Sequence, residues 1–159
     1  MKNTLFVLVF SFILLSCNSN TNESSKEYSF TENSQLTLDA QEPHPFIKIV
    51  SGENLVFKYY FQKEDNENIA DDEYSEAIFF EIDTDLEHFS YTDQDLTSIN
   101  TYFDKYCFCI REGSTPITKG TIVGNKIDNS TWDIDLDITF INNNESTSRK
   151  ISGLFIKKE

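Results

Sequence analysis

The sequence predicts an all-β fold: an antiparallel β-sandwich finished by a C-terminal meander, with a small up-and-down barrel as the alternative. Three observations predict it. Apolar and polar residues alternate with a period of two in one segment after another. Turn chemistry rich in Asn, Asp, Ser and Gly separates these segments, roughly every 8–15 residues. No stretch sustains a long helical period. Together they imply about seven to nine strands.

The first strand expected is short, Gln35–Leu38. Pro43 and Pro45 then bracket His44 and mark a turn or an edge, because proline cannot donate to a ladder. Phe46–Val50 is a short strand, and Ser51–Asn54 is turn chemistry. Leu55–Gln62 is a clear strand, with Leu55, Phe57, Tyr59 and Phe61 on one face. Residues 63–76 are too polar for anything but a loop. Ala77–Asp83 is a strand that turns Ile78, Phe80 and Ile82 inward, and Glu87–Tyr91 is another. Thr92-Asp93-Gln94-Asp95 resembles a capping box, which places a short helical turn near 93–98. The aromatic alternation after it makes about 101–111 a strand, turned by Gly113–Pro116.

The C-terminal third is the plainest. Gly120–Ile127 is a strand whose central Gly124 marks a bulge or a close crossing. Trp132, Ile134, Leu136, Ile138 and Phe140 alternate with Asp133, Asp135, Asp137 and Thr139, which is a strand with one wet face. Arg149–Lys157 closes the chain with Ile151, Gly153 and Phe155 on one side. Short polar turns join the three strands into a meander.

Charge is unevenly spread. The 159 residues carry a net charge of −14. Residues 18–104 hold 20 acidic and 4 basic side chains, whereas residues 105–159 are nearly balanced, with 7 acidic and 8 basic. Phosphate binding needs a basic patch. Arg149-Lys150 and Lys157-Lys158 are only short pairs, so nucleic acid is not an expected partner.

The N-terminus carries an address. Met1-Lys2-Asn3-Thr4 is followed by an apolar run, Leu5 to Leu15, and then by Ser16-Cys17. A basic start, an apolar run and a small residue at the cut are the parts of a secretory signal. The run is too short to span a bilayer as a helix. The tetrad Leu14-Leu15-Ser16-Cys17 resembles the lipobox of bacterial lipoprotein precursors. That resemblance implies cleavage before Cys17, acylation of its thiol with chains of the palmitate kind, and a lipid anchor to a membrane. Two or more chains hold stably where one does not. Asn18 stands where an Asp would favour inner-membrane retention, so the outer membrane of the cell envelope is the expected location. With its Asn-rich tether and acidic, Phe- and Tyr-rich domain, the chain resembles in style the small uncharacterised lipoproteins of Bacteroidetes-type bacteria. That likeness carries no activity. The organisation expected is a signal peptide at 1–16, the lipidated Cys and a flexible tether at 17–34, and one β domain at 35–159. As a coil such a tether reaches about 20–25 Å.

Few residues suggest chemistry, and no catalytic motif is found: Gly-x-Ser-x-Gly is absent, and no Ser-His-Asp set is argued by position. Cys107 and Cys109 flank Phe108. On an extended strand their Cα atoms lie about 7 Å apart, at the limit for bridging, so a disulfide requires a kink and buried thiols are the alternative. Both could also join His44 and His88 around zinc, but no spacing requires it. Calcium is the other candidate cation, with Asp71, Asp72, Asp83 and Asp85 as candidate ligands if their loops share one end of the domain. The functional expectation is a lipid-anchored, non-enzymatic β domain that binds a protein or glycan partner. The alternatives are a barrel that carries a small apolar ligand and a hydrolase built on paired carboxylates.

Overall fold

The computed structural model describes residues 24–39, 44–65, 68–109 and 113–158. The signal segment and Cys17 therefore lie outside the described residues. The fold is all-β. Its strands are β1 (Ser25–Leu38), β2 (Ile47–Ser51), β3 (Asn54–Gln62), β4 (Tyr74–Ile82) and β5 (His88–Thr92), followed by β6 (Tyr102–Cys107), β7 (Thr115–Pro116), β8 (Lys119–Asp128), β9 (Thr131–Asn142) and β10 (Glu145–Lys157). A 3-10 turn, Asp93–Thr97, links β5 to β6 where the helical turn is expected.

All strands belong to one sheet, ordered β5-β8-β9-β10-β1-β3-β4-β6-β7, with β2 paired to β1 off this path. The sheet curls into a half-barrel whose flanks face each other across the core. Every pair is antiparallel except β1–β10, which is parallel through Ser29↔Ile156 and Phe30↔Lys157. The C-terminal meander is present as β8-β9-β10.

Alternation decides which way each strand faces. Along β9, Trp132, Ile134, Leu136, Ile138 and Phe140 are buried, while Asp133, Asp135 and Asp137 are exposed. These five meet Phe30, Phe57, Ile78, Phe80, Phe89 and Phe155 in one contiguous core. Gly124 is a close crossing, as expected: a Cβ there would stand 2.2 Å from the Phe89 ring. β4 is buried on both faces. Its inner face carries Ile78, Phe80 and Ile82, and its outer face carries Ala77 and Phe79 under a second, smaller cluster with Ile47, Leu36 and Tyr60.

That outer cover comes from a bent hairpin. β1 pairs with β3 up to Thr31, shifts register between Thr31 and Ser34, and continues against β2 through Leu38↔Ile47. Asn33 has a positive φ of 51° at the bend, and its carbonyl accepts from Gly52 N–H at 2.9 Å. Beyond the bend the hairpin lies over the convex face of β4. The Leu36 N–H donates to Glu81 Oε2 at 2.7 Å, and Asn100 Nδ2 donates to Glu81 Oε1 at 2.5 Å.

This corrects the expected tether. Residues 25–34 are a strand, not a flexible leash. Their composition is polar because β1 runs between β3 and β10 and owes its place to two ladders. It needs only Phe30 and the half-buried Tyr28 facing inward.

Candidate functional site

A cleft opens at one end of the half-barrel. β3 and β9 begin there, β8 ends there, and β1 bends there. Phe30, Leu55 and Trp132 form its floor; Glu32, Asn33, Thr84, Lys126 and Asn129 form its rim. Its volume is ≈ 300 Å³, at the lower edge of small-ligand clefts. The floor side chains are almost wholly buried, with Trp132 only 1% exposed, so the accessible chemistry is the rim. Two ion pairs hold the rim: Lys157 to Glu32 at 2.6 Å and Lys126 to Glu87 at 2.9 Å. The arrangement offers hydroxyl, carboxamide, carboxylate and ammonium groups around a hydrophobic bottom. It is equipped to bind.

The opposite end is plugged. Arg149 on β10 reaches across the interior to Glu76 on β4, with Nε donating to Oε1 and Nη2 to Oε2, both at 2.7 Å. The Tyr74 hydroxyl adds a bond to Glu76 Oε2 at 3.0 Å. Burial, then the neighbouring Tyr28 and Glu76, push the Tyr59 phenol up to about 12; burial and Glu76 also raise Tyr74. Both phenols stay neutral at physiological pH. Here the loop expected over 63–76 is corrected, because β4 already starts at Tyr74: Glu76 continues the Ile78, Phe80, Ile82 face, and Arg149 continues the Ile151, Gly153, Phe155 face.

A third cluster sits on the convex side under the hairpin tip. Asp104 is fully buried. The Tyr106 hydroxyl donates to its Oδ2 at 3.0 Å, while Oδ1 has no hydrogen-bond partner among the described residues. Burial pushes the Asp104 carboxyl up, against the smaller opposing pull of Ser114, Tyr106 and Lys58. Ser114 ties down the tip: its Oγ accepts from Ile47 N–H at 2.7 Å, and its own N–H donates to Pro45 O at 2.8 Å.

The sign of the pH effect follows. The folded state holds the Asp104 proton more tightly than the unfolded chain, whose reference value is 3.8. Wild-type stability therefore falls as pH rises from there through the raised folded value, then levels off. Asp104→Asn lacks this penalty. It is expected to be the more stable protein at about pH 7, with the advantage shrinking towards about pH 4. Urea unfolding of both proteins across that range checks it, and a constant difference would rule it out.

The calcium candidates are not brought together. Asp71 and Asp72 precede β4, and Asp83 and Asp85 follow it. Its 9 residues put about 30 Å between them. The condition of a shared end fails because one strand separates the two loops. Asp83 Oδ1 instead accepts from Asp85 N–H at 3.0 Å, closing a local turn. Among the described residues no group of three or more His, Cys, Asp or Glu is placed to hold a metal ion. His44 and His88 do not meet the cysteines. Cys107 and Cys109 form a disulfide, and a bend at Phe108 brings their Cα atoms to 5.2 Å. The Asp133, Asp135, Asp137 row is the wet face expected of it, with Asp137 paired to Lys150 at 3.3 Å. Sequence reasoning missed the cleft rim because Thr84 and Asn129 lie in turns and Asn33 at the bend of β1, none with a pattern of its own. No helix among the described residues is long and apolar enough to cross a membrane. No family model, curated protein or solved structure matches this chain.

Proposed function

We propose that this chain is a lipid-anchored protein of the cell envelope, held on the outer membrane through Cys17, whose β domain binds a protein or glycan partner without catalysis. The cleft over Phe30, Leu55 and Trp132 is where the partner docks. Its ring of hydrogen-bonding rim groups, Glu32, Asn33, Thr84, Lys126 and Asn129, around a cleft of ≈ 300 Å³ is the observation that carries this reading.

The interior weighs against the carrier alternative. The concave face is filled by stacked rings, including Phe57–Phe80 at 4.9 Å and Phe103–Phe140 at 4.3 Å between centroids. A carrier needs that space for its ligand. The rim weighs against the hydrolase. Glycoside hydrolysis uses two carboxylates across the scissile bond. Glu32 is the one carboxylate lining the cleft among the described residues, and it is ion-paired.

Thr84→Trp tests the site. Thr84 is exposed on the rim, so a bulky ring fills the cleft without disturbing the core. The wild-type protein, probed against neutral oligosaccharides and isolated envelope proteins, is expected to bind at least one of them. The variant is expected to lose that binding at least tenfold at unchanged Tm. Binding that survives in Thr84→Trp puts the partner elsewhere. Mass analysis tests the anchor: acyl chains on Cys17 are expected in the wild type and absent in Cys17→Ser.

A further inference from the structure

We infer that the domain stands on the membrane by a second contact, in which Phe108, held out by the Cys107–Cys109 disulfide, enters the interface of a zwitterionic lipid surface. This rests on the reading of Cys17 as the lipid anchor.

The place where the chain enters the fold comes first. β1 begins at Ser25, which pairs with Gln62 at the end of β3. Gln62 pairs with Ser75, and Ser75 with Tyr106 near the end of β6. The entry point and the Cys107–Cys109 loop therefore share one end of the domain, the end plugged by Arg149 and opposite the cleft. The stretch from Cys17 to Ser25 spans at most about 30 Å. The 12 residues of β9 run about 40 Å. A leash shorter than the domain keeps the plugged end within about 30 Å of the membrane, and a contact at that end turns the cleft away from it.

One side chain sets that end apart. Phe108 is 78% exposed, the highest among the large apolar side chains of the described residues. Ile69, in the β3–β4 connection, is 55% exposed, and Ile141, beside the last residue of β9, is 61% exposed. Lys105 Nζ, on β6, donates to Asn142 Oδ1 at 3.2 Å, which brings the foot of β9 to the same end. Single exposed apolar residues are ordinary. Ile127, at 57%, and Leu154, at 52%, are as exposed near the cleft as Ile69 is here, so the observation that counts is the Phe108 ring, which sits at the end tied to a lipid anchor and, fixed by a disulfide, inserts with little loss of conformational freedom. The disulfide thereby has a role that the packed core does not supply. The chemistry of the surface follows from charge. Glu64, Asp65, Asp71, Asp72 and Glu73 crowd the β3–β4 connection at this end, so an anionic surface repels it and a zwitterionic one does not.

The test uses the full chain carrying its lipid, in phosphatidylcholine vesicles with brominated acyl chains. Phe108→Trp places a fluorophore at the contact, and Asn129→Trp places one on the cleft rim at the far end. Trp132 is buried and gives the common background. Expected are flotation of both variants with the vesicles, emission from Phe108→Trp at least halved by the brominated chains, and emission from Asn129→Trp unchanged. Flotation with equal emission from the two variants overturns the second contact and leaves the anchor standing. Failure of the wild-type protein to float overturns the anchor, and the second contact with it.

Discussion

Phe57→Ala is expected to cost about 3–5 kcal/mol of folding stability. Phe57 is fully buried and is the hub of the aromatic core. Its ring lies 4.9 Å from Phe80, 5.3 Å from Phe30, 5.7 Å from Trp132 and 5.8 Å from Phe155. These partners come from β4, β1, β9 and β10, so the ring joins both flanks of the half-barrel. Truncation removes the transfer energy of a benzyl group and leaves a void that four rigid rings cannot close. Small domains hold only about 5–15 kcal/mol in total. The variant is therefore expected near the edge of folding, with a urea midpoint far below wild type at an unchanged slope. Phe57→Leu is expected to retain most of what Phe57→Ala loses. A loss under about 1 kcal/mol for alanine would mean that the flanks are held together by something other than this stack.

The same alternation that exposed the core in the sequence explains what stayed hidden. β9 was legible residue by residue, because five apolar side chains alternate with four polar ones and the strand has one wet face. β3, β8 and β10 were legible for the same reason. β1 was not. It is polar along most of its length, and its strand state comes from β3 and β10, which are remote in sequence. The parallel β1–β10 pair was equally hidden, since no local pattern encodes which distant strand lies alongside. The bent hairpin adds a third kind of difficulty. Leu36, Ile47 and Phe79 look like ordinary strand residues, yet they form a second layer on the convex face because β1 shifts register at Thr31–Ser34. For the candidate site the outcome divides along the same line. Leu55 and Trp132, in the floor, are core residues that periodicity finds, whereas Phe30 lies in the stretch expected as a tether. Thr84 and Asn129, in turns, and Asn33, at the β1 bend, belong to a rim that only the assembled sheet brings together. The Cys107–Cys109 disulfide required a kink, and a bend at Phe108 supplies it.

The plugged end gives the second large effect, and its asymmetry separates a buried charge from a mere lost contact. Arg149→Ala is expected to cost about 3–5 kcal/mol, the usual loss when one member of a buried ion pair is removed. The Glu76 side chain is 5% exposed, so without the guanidinium its carboxylate is left in the interior with only the Tyr74 hydroxyl. Glu76→Gln is expected to cost less, about 1–2 kcal/mol. The Arg149 side chain is 32% exposed and can turn its charge to water, and its Nη1 keeps a bond to Ser148 O. Replacing both by Glu76→Leu and Arg149→Met removes the orphaned charge, so the double variant is expected to be more stable than Arg149→Ala alone. The loss has a location as well as a size. β4 and β10 are not neighbours in the sheet, since β1 and β3 lie between them. Their direct link at this end is the side-chain pair across the interior. Hydrogen exchange in Arg149→Ala is therefore expected to rise at the Arg149 end of β10 and at Tyr74–Glu76 of β4. The cleft end around Trp132 is expected to keep its protection. Equal losses for Arg149→Ala and Glu76→Gln, with exchange raised evenly over the sheet, would show that the pair contributes packing alone and that the end is closed by its tyrosines.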